Sequence, residues 1–310
     1  MRPPCEIVQR DFLRAVRTSV ARSLSETGLS QTEIALKMDM TQAAVSKYLN
    51  TPISKSKLSG DIGRLTDTIT EMLTTTEVGS DQIVREICSS CMKSRLGSTL
   101  CEMHQNQVSS LKTANCQICS QLLGGRDEEL SGRAAVIGDM LEALKIIERS
   151  DTFEAIVPQV RANFVSCNAL AETNKDVAGV PGRITIIDGR ARALISPQFG
   201  ASQHTASLLL EARRIWNRVH ACICVSGRDD VVKFAEKSGF KIISIKEPES
   251  SAEKIINALK TTRTVFGPRT KYPAIHVPGG IGVEPILYLF GPSARDVSER
   301  SLKLSDAVKS

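Results

Sequence analysis

Apolar positions recur along this chain with two different periods, and the change of period divides it. From Glu6 to Ser25, Ile7, Phe12, Leu13, Val16, Val20 and Leu24 fall near one face of a helix. Ile34, Ala35 and Met38 keep that spacing, and Val45, Tyr48 and Leu49 resume it after a break, so Leu29 to Asn50 reads as two short helices joined by a tight turn. Ile62 to Leu73 is again amphipathic. So is Glu128 to Arg149, with Leu130, Ala134, Ile137, Leu141, Leu144 and Ile147 along one side. That last helix either covers a following domain or pairs with its own copy in a dimer. From Phe153 the pattern changes to short strands alternating with helices. Strands are predicted at Arg183 to Ile187, Ala191 to Ile195, Ala221 to Ser226, Lys241 to Ile245, Ala274 to Val277 and Ile286 to Phe290. Helices are predicted at Ser202 to Trp216, Asp229 to Ser238, Ser251 to Leu259 and Ala294 to Leu302. Asp188-Gly189 joins the first two strands as a hairpin turn. The second half is therefore expected to be a layered α/β domain.

The paired short helices carry specific local signals. Ser30 and Glu33 form the S-x-x-E pattern of a capping box, and Thr41 stands where it can cap the second helix. Asp39 lies at the sharp turn and tolerates the left-handed region better than most residues. Gln42, Ala43, Ser46 and Lys47 are left pointing outward. A helical hairpin in a core is the plain alternative, but these outward residues suit base edges: Gln pairs with adenine, Ser with several bases, and Ala meets a thymine methyl. Between Gln42 and Gly60 no acidic residue occurs, while Lys47, Lys55 and Lys57 do. That stretch is expected to face phosphate. The candidate DNA contacts are Thr41, Gln42, Ala43, Ser46, Lys47 and Lys55 on a helix-turn-helix. The Q-x-x-x-A of Gln31 to Ala35 and the A-V-S-x-Y-L of Ala44 to Leu49 resemble the lambda-repressor-like family. Arg10, Arg14, Arg17 and Arg22 line the preceding helix and either touch phosphate or form a solvated basic face.

Composition narrows the setting. The 310 residues allow about two domains and a tail, and a hydrophobic content of 41% supports real cores. The net charge of +6 agrees with nucleic-acid contact without requiring it. No window approaches the length of a membrane span and the start has no signal-peptide pattern, so a cytoplasmic protein is expected. Nine cysteines then point to metal ligands or free thiols rather than disulfides. Cys88-x-x-Cys91 and Cys116-x-x-Cys119 form two knuckles that can complete a tetrahedral zinc site. Cys101 and His104 are the alternative ligands or those of a second site, and an iron–sulfur centre or plain thiols are the competing readings. The stretch from Arg2 to Ser120 resembles a family of archaeal regulators in its P-P-C-E-I-V start, its helix-turn-helix, and its I-C-x-x-C, L-C-x-x-H and C-x-I-C blocks. The resemblance does not identify a metal.

Two loops of the α/β half invite a ligand. Pro197 to His204 is a glycine turn opening a helix, a place where backbone N–H groups can hold an anion; a bare helix start is the alternative. Val277 to Pro285 has Gly279, Gly280 and Gly282, which permit close backbone approach or only shape a tight connection; Glu284 within it accepts from a ligand or caps backbone. His204 is the one histidine placed to contact a phosphate or act as a base, although a lone histidine is more often structural. Cys222 and Cys224 alternate in a strand and read as buried thiols.

Four blocks in this half, Asn163-Phe, Val180-Pro-Gly-Arg-Ile, Phe199-Gly-Ala-Ser-x-His204 and Gly279-Gly-Ile-Gly-x-Glu-Pro285, together resemble the archaeal thiamine-phosphate synthase domain ThiN over about residues 152 to 305. The resemblance implies a three-layer α/β/α fold and an activity that joins pyrimidine diphosphate to thiazole phosphate. It implies ligand contacts at Asn163, Arg183, Phe199, Gly200, Ala201, Ser202, His204, Gly279, Gly280, Gly282 and Glu284. Two departures stand out: Cys222 replaces an amide common in the enzymes, and Arg161-Ala162 replace Gly-Ser before Asn163. Losing an amide harms turnover more than product binding.

The expected organisation is α plus α/β: a helix-turn-helix domain over 1–85, a Cys-rich segment over 86–125, a connector or dimerisation helix over 126–151, and a ligand-binding domain over 152–310. The expected function is a homodimeric regulator, repressing thiamine synthesis or transport genes when thiamine phosphate or diphosphate is bound. The alternatives are an active synthase with His204 as its acid/base, and a DNA-binding protein whose α/β domain only dimerises.

Overall fold

The computed structural model describes residues 2–52, 58–75, 78–125, 127–245, 252–261 and 266–310. Lys55, one of the expected DNA contacts, lies outside them. The chain forms two compact units, Met1–Asp127 and Glu128–Ser310. Among the described residues no helix is long and apolar enough to cross a membrane.

The first unit is helical. It runs α1 (Cys5–Ile7), a π turn (Val8–Phe12), α2 (Leu13–Glu26), α3 (Gln31–Lys37), α4 (Gln42–Asn50), α5 (Ser59–Thr75), α6 (Ser80–Arg95), α7 (Thr99–Gln107), α8 (Ser109–Thr113) and α9 (Ile118–Leu123). The apolar stripe of α2 supplies Val16, Val20, Ala21 and Leu24 to a core shared with Phe12, Ile34, Ala35, Val45, Leu58, Ile62, Leu65 and Ile69. Burying each of the larger side chains stabilises this core by about 1.5–3 kcal/mol before entropy is counted. α3 begins at the reciprocal capping box of Ser30 and Glu33. Asp39 adopts a φ of 50°, and Met40 N–H reaches back to Ala35 O at 2.9 Å, which closes the turn. The Thr41 hydroxyl accepts from Ala44 N–H at 3.2 Å and starts α4.

The second unit is a mixed α/β domain. Its elements are α10 (Glu128–Arg149), β1 (Phe164–Cys167), β2 (Val177–Gly179), β3 (Ile184–Ile187), β4 (Arg190–Ala193), β5 (Gln198–Phe199), α11 (His204–Ile215), β6 (Ala221–Ser226), α12 (Asp229–Lys237), β7 (Lys241–Ser244), α13 (Ala252–Thr261), β8 (Pro273–Val277), β9 (Ile286–Gly291) and α14 (Ala294–Lys309). Seven strands form one sheet in the order β5-β2-β1-β6-β9-β8-β7, antiparallel except for the parallel pair β7–β8. β3 and β4 form a separate hairpin, turned by Asp188 at φ 50° and Gly189 at φ 73°.

The central strand β6 is buried on both faces, and the alternation of its side chains feeds two cores. Ala221, Ile223 and Val225 join the core that carries α10, α12 and α14. Cys222 and Cys224 join the one that carries α11 and α13. The sheet is therefore covered by helices on both sides. The helix over Glu128–Arg149 contributes Val136, Met140, Ala143, Leu144 and Ile147 to the first of these cores. Leu130 and Leu141, expected on its apolar stripe, are exposed at 50% and 38%. The stripe is rotated because the helix packs against α14 and β4.

Candidate functional site

In the second unit a cavity of about 580 Å³ opens at the start of α11. A two-residue antiparallel bridge builds its wall: Ala162 and Ile184 exchange N–H···O bonds of 3.0 and 2.8 Å. On either side of that bridge Arg161 and Arg183 enter the cavity lining. Both are held in left-handed backbone, at φ 69° and 66°. Such a conformation costs a non-glycine residue about 1–2 kcal/mol, so the surrounding pairing must impose it. Arg183 Nη1 donates to Val160 O at 2.7 Å, which ties the two strands of the wall together.

The floor is polar and already organised. Asn163 Nδ2 donates to Ser202 Oγ at 3.1 Å and to Thr205 Oγ1 at 3.0 Å. Asn163 O accepts from Cys224 N–H at 2.8 Å, so β6 fixes the amide from behind. Ala201, Ser202, Gln203 and His204 line the opening. α11 has no side-chain cap at its first turn, because the side chain of its N-cap residue Gln203 accepts from Asn174 Nδ2 at 3.1 Å. The N–H groups and positive dipole end of a twelve-residue helix are thus directed at a cavity flanked by two guanidinium groups, which suits an anion.

His204 Nε2 lies 3.0 Å from Tyr288 Oη. Burial, assisted by the charge of Arg183, holds the His204 imidazole below its ordinary pKa, so the ring is neutral at pH 7. Burial also holds the Tyr288 hydroxyl well above its ordinary value, so it stays protonated. The pair offers hydrogen bonds without adding charge.

Of the expected ligand contacts, the fold brings Asn163, Arg183, Ala201, Ser202 and His204 to this cavity. Gly200, at φ 77°, donates its N–H to Val177 O at 2.9 Å and shapes the turn instead. The Phe199 ring is stacked under the Arg133 guanidinium, 3.7 Å from its centroid. The second glycine loop does not line the cavity. Gly279 has Pro285 so close that an added Cβ would lie 2.7 Å from Pro285 Cδ, and Gly280 bridges Val283. These glycines make a tight connection. Glu284 is engaged by backbone: it accepts from Gln159 N–H at 3.0 Å and Val160 N–H at 3.2 Å, and so holds the segment that carries the cavity wall. Arg161 and Gln203 also line the cavity, although neither is among the expected contacts; Tyr288 lies outside the lining and acts through His204. The left-handed pairing of Arg161 and the position of Gln203 at the start of α11 reveal the two lining residues. Cys222 is buried beside Cys224, and burial pushes its thiol well up. It does not line the cavity.

In the first unit Gln42, Ala43 and Lys47 are exposed and Ser46 is half-buried on α4, while Thr41 is engaged as the cap. Gln42 Nε2 donates to Gln31 Oε1 at 3.1 Å. Arg22 Nη2 donates to Leu49 O at 3.3 Å, so this arginine serves the end of α4 and not an open basic face.

The cysteine segment folds as α6 to α9. Cys88 and Cys91 lie on α6. A separate cavity of about 270 Å³ has Cys101, His104, Cys116 and Cys119 in its lining. Among the described residues no three His, Cys, Asp or Glu side chains are already drawn around one point as metal ligands.

Comparison with known proteins bears on the second unit. Residues 139–303 match the family model described as thiamine-phosphate synthase ThiN. The thiamine-phosphate synthase ThiN of Methanothermobacter thermautotrophicus is 26% identical over 179 residues, which are 56% of this chain and 94% of that protein. Among solved structures, the C-terminal domain of protein MJ0236 is similar at a TM-score of 0.50 and 22% identity, covering 57% of this chain and 96% of that one. The C-terminal domain of phosphomethylpyrimidine kinase gives a TM-score of 0.48 at 26% identity, over 56% of this chain and 99% of that one.

Proposed function

The chain belongs to the thiamine-phosphate synthase ThiN family, and we propose that it uses this domain to sense a thiamine phosphate and a helix-turn-helix in its N-terminal unit to report that ligand to DNA. The observation that carries the proposal is the polar cavity at the start of α11. Arg161, Arg183 and the uncapped helix end supply positive potential, Asn163 and Ser202 are prearranged by mutual hydrogen bonding, and His204 is neutral. A phosphate monoester or diphosphate fits that chemistry. The resemblance implies an amide at Cys222 in the enzymes, but Cys222 is buried outside the cavity lining, so this departure does not decide between binding and turnover.

At the DNA end, Gln42, Ala43 and Ser46 would meet base edges in the major groove while Lys47 meets phosphate. The natural output is repression of thiamine synthesis or transport genes, with a homodimer reading two half-sites. A coupling of about 100-fold between ligand binding and DNA binding corresponds to about 2.7 kcal/mol, within the usual range for allosteric proteins.

The test is a titration of the full chain. A preferred DNA site is first selected from random duplexes, then its affinity is measured with and without thiamine monophosphate and diphosphate. A shift of tenfold or more, abolished by Arg183→Ala, supports the proposal. Unchanged DNA affinity, with steady release of pyrophosphate from pyrimidine diphosphate and thiazole phosphate, would instead make the protein a synthase. Calorimetry without heat for any thiamine phosphate would leave the α/β unit a dimerising domain.

A further inference from the structure

We infer that Cys101, His104, Cys116 and Cys119 bind one tetrahedral zinc-class cation, and that Cys88 and Cys91 do not. Of two pairs that the spacing alone left interchangeable, only Cys101 and His104 line the cavity that also takes Cys116 and Cys119. Cys101 and His104 are three residues apart on α7 and so share a face. Cys116 and Cys119 are presented by the chain reversal between α8 and α9, where Asn115 takes a φ of 48° and Cys116 N–H donates to Leu111 O at 3.0 Å. All four residues line the same 270 Å³ cavity, whereas neither Cys88 nor Cys91 lines it. Gln105 bridges the two elements, with its Nε2 3.5 Å from both Cys101 Sγ and Cys116 O.

His104 carries a second mark of a metal ligand. It is only 9% exposed, and its Nε2 lies 2.7 Å from Arg2 O. A carbonyl oxygen only accepts, so Nε2 must donate, which leaves Nδ1 as the ring atom able to meet a metal. A backbone carbonyl in this position is the usual outer partner of a zinc-bound imidazole. The guanidinium of Arg95 lies 3.5 Å from Cys119 Sγ and offsets the negative charge of a three-thiolate, one-imidazole set. Thiolate sulfur selects zinc over magnesium or calcium. On binding, the three thiols release their protons to solvent, and the side chains turn inward from the Arg95 and Gln105 contacts. The set leaves no open position, so the site is structural: it ties the Arg2–Pro4 lead, α7 and the α9 knuckle together.

The test uses the full chain purified under reducing conditions and analysed for metal. One equivalent of zinc is expected. Cys101→Ser, Cys116→Ser, Cys119→Ser and His104→Ala should each fall below about half an equivalent, while Cys5→Ser, Cys88→Ser and Cys91→Ser retain it. Because a ligand variant can simply unfold, His104→Cys is included: it should keep the metal and, after cobalt exchange, show stronger thiolate-to-cobalt charge transfer than the parent. Metal loss in the Cys88 and Cys91 variants with retention in those of Cys101 and His104 would overturn the assignment. So would a full chain that takes up no zinc when supplied with it, or one whose spectrum is that of an iron–sulfur cluster.

Discussion

Gln42 donates its side-chain amide to Gln31 across the turn between α3 and α4, at 3.1 Å. The two glutamines are the first residues of their helices, so the bond links both N-termini. It uses one of the two N–H groups of Gln42 and leaves the other, with Oε1, free for an adenine edge. Gln42→Ala is expected to reduce discrimination between the selected site and random duplex by about tenfold, because a good bidentate base contact is worth about 1–3 kcal/mol. Gln31→Ala should cost less, since it only frees the partner. Lys47→Ala should weaken binding to all sequences alike and lower the salt slope by about one unit. Fluorescence anisotropy across a salt series separates the two effects; equal losses on both duplexes for Gln42→Ala would refute the reading role.

Arg183 couples charge to backbone strain, and two substitutions separate them. Arg183→Ala and Arg183→Gly both remove the guanidinium and should raise the Kd for a thiamine phosphate at least tenfold. At a φ of 66°, however, glycine relieves a conformation that alanine must still adopt. The glycine variant is expected to be more stable than the alanine variant by about 1 kcal/mol. Trp216 is the chain's single tryptophan and is fully buried in the second unit, so its fluorescence during urea unfolding reports this unit directly.

Glu284 acts through Gln159 and Val160. Glu284→Ala removes the acceptor of two solvent-accessible N–H groups beside the cavity and should destabilise the second unit by about 0.5–1.5 kcal/mol. Glu284→Gln keeps one acceptor oxygen and should recover part of that loss. Isothermal titration is expected to show weaker ligand binding in the same order. If both variants bound normally while Glu284→Ala lowered stability, the residue would have no role in shaping the cavity.

The pH response follows from His204. Its folded pKa lies below the ordinary 6.5, first through burial and then through Arg183. As pH falls from the ordinary value towards the folded one, the unfolded chain takes up this proton and the folded chain does not. Stability therefore falls with acid through that window and is full above it. His220 is shifted the same way by burial and by Arg213, so it adds to the slope. Trp216-monitored unfolding at pH 7.5 and 5.5 should show a smaller loss in His204→Gln than in the parent. An identical pH dependence would place the histidine outside the titrating set.

Much of the helical unit was written locally. The capping box at Ser30, the left-handed Asp39 and the cap at Thr41 each depend on residues within one turn, and each was legible in sequence. So were β6, which runs Ala221–Ser226 as expected, and the Asp188-Gly189 hairpin, because an apolar run and a turn dipeptide need no distant partner. β1 and β2 were not: three or four residues carry too little periodicity, and their pairing with each other and with β6 supplies the signal.

The sequence by itself determined the first helices, the long helix over Glu128–Arg149, the longer strands and the hairpin of the second half, where the chain changes class, and which family the second half resembles, since spacing and turn chemistry are properties of neighbours. Tertiary structure decided which residues share a cavity. It set Arg161 beside Arg183 through a bridge of distant residues, engaged Glu284 with backbone, removed the second glycine loop from the site, and put Cys101, His104, Cys116 and Cys119, but not Cys88 or Cys91, in the lining of one cavity. Convergence of side chains depends on strand register and helix rotation, and those are fixed only when both faces of the sheet and the interior of the helical unit are packed.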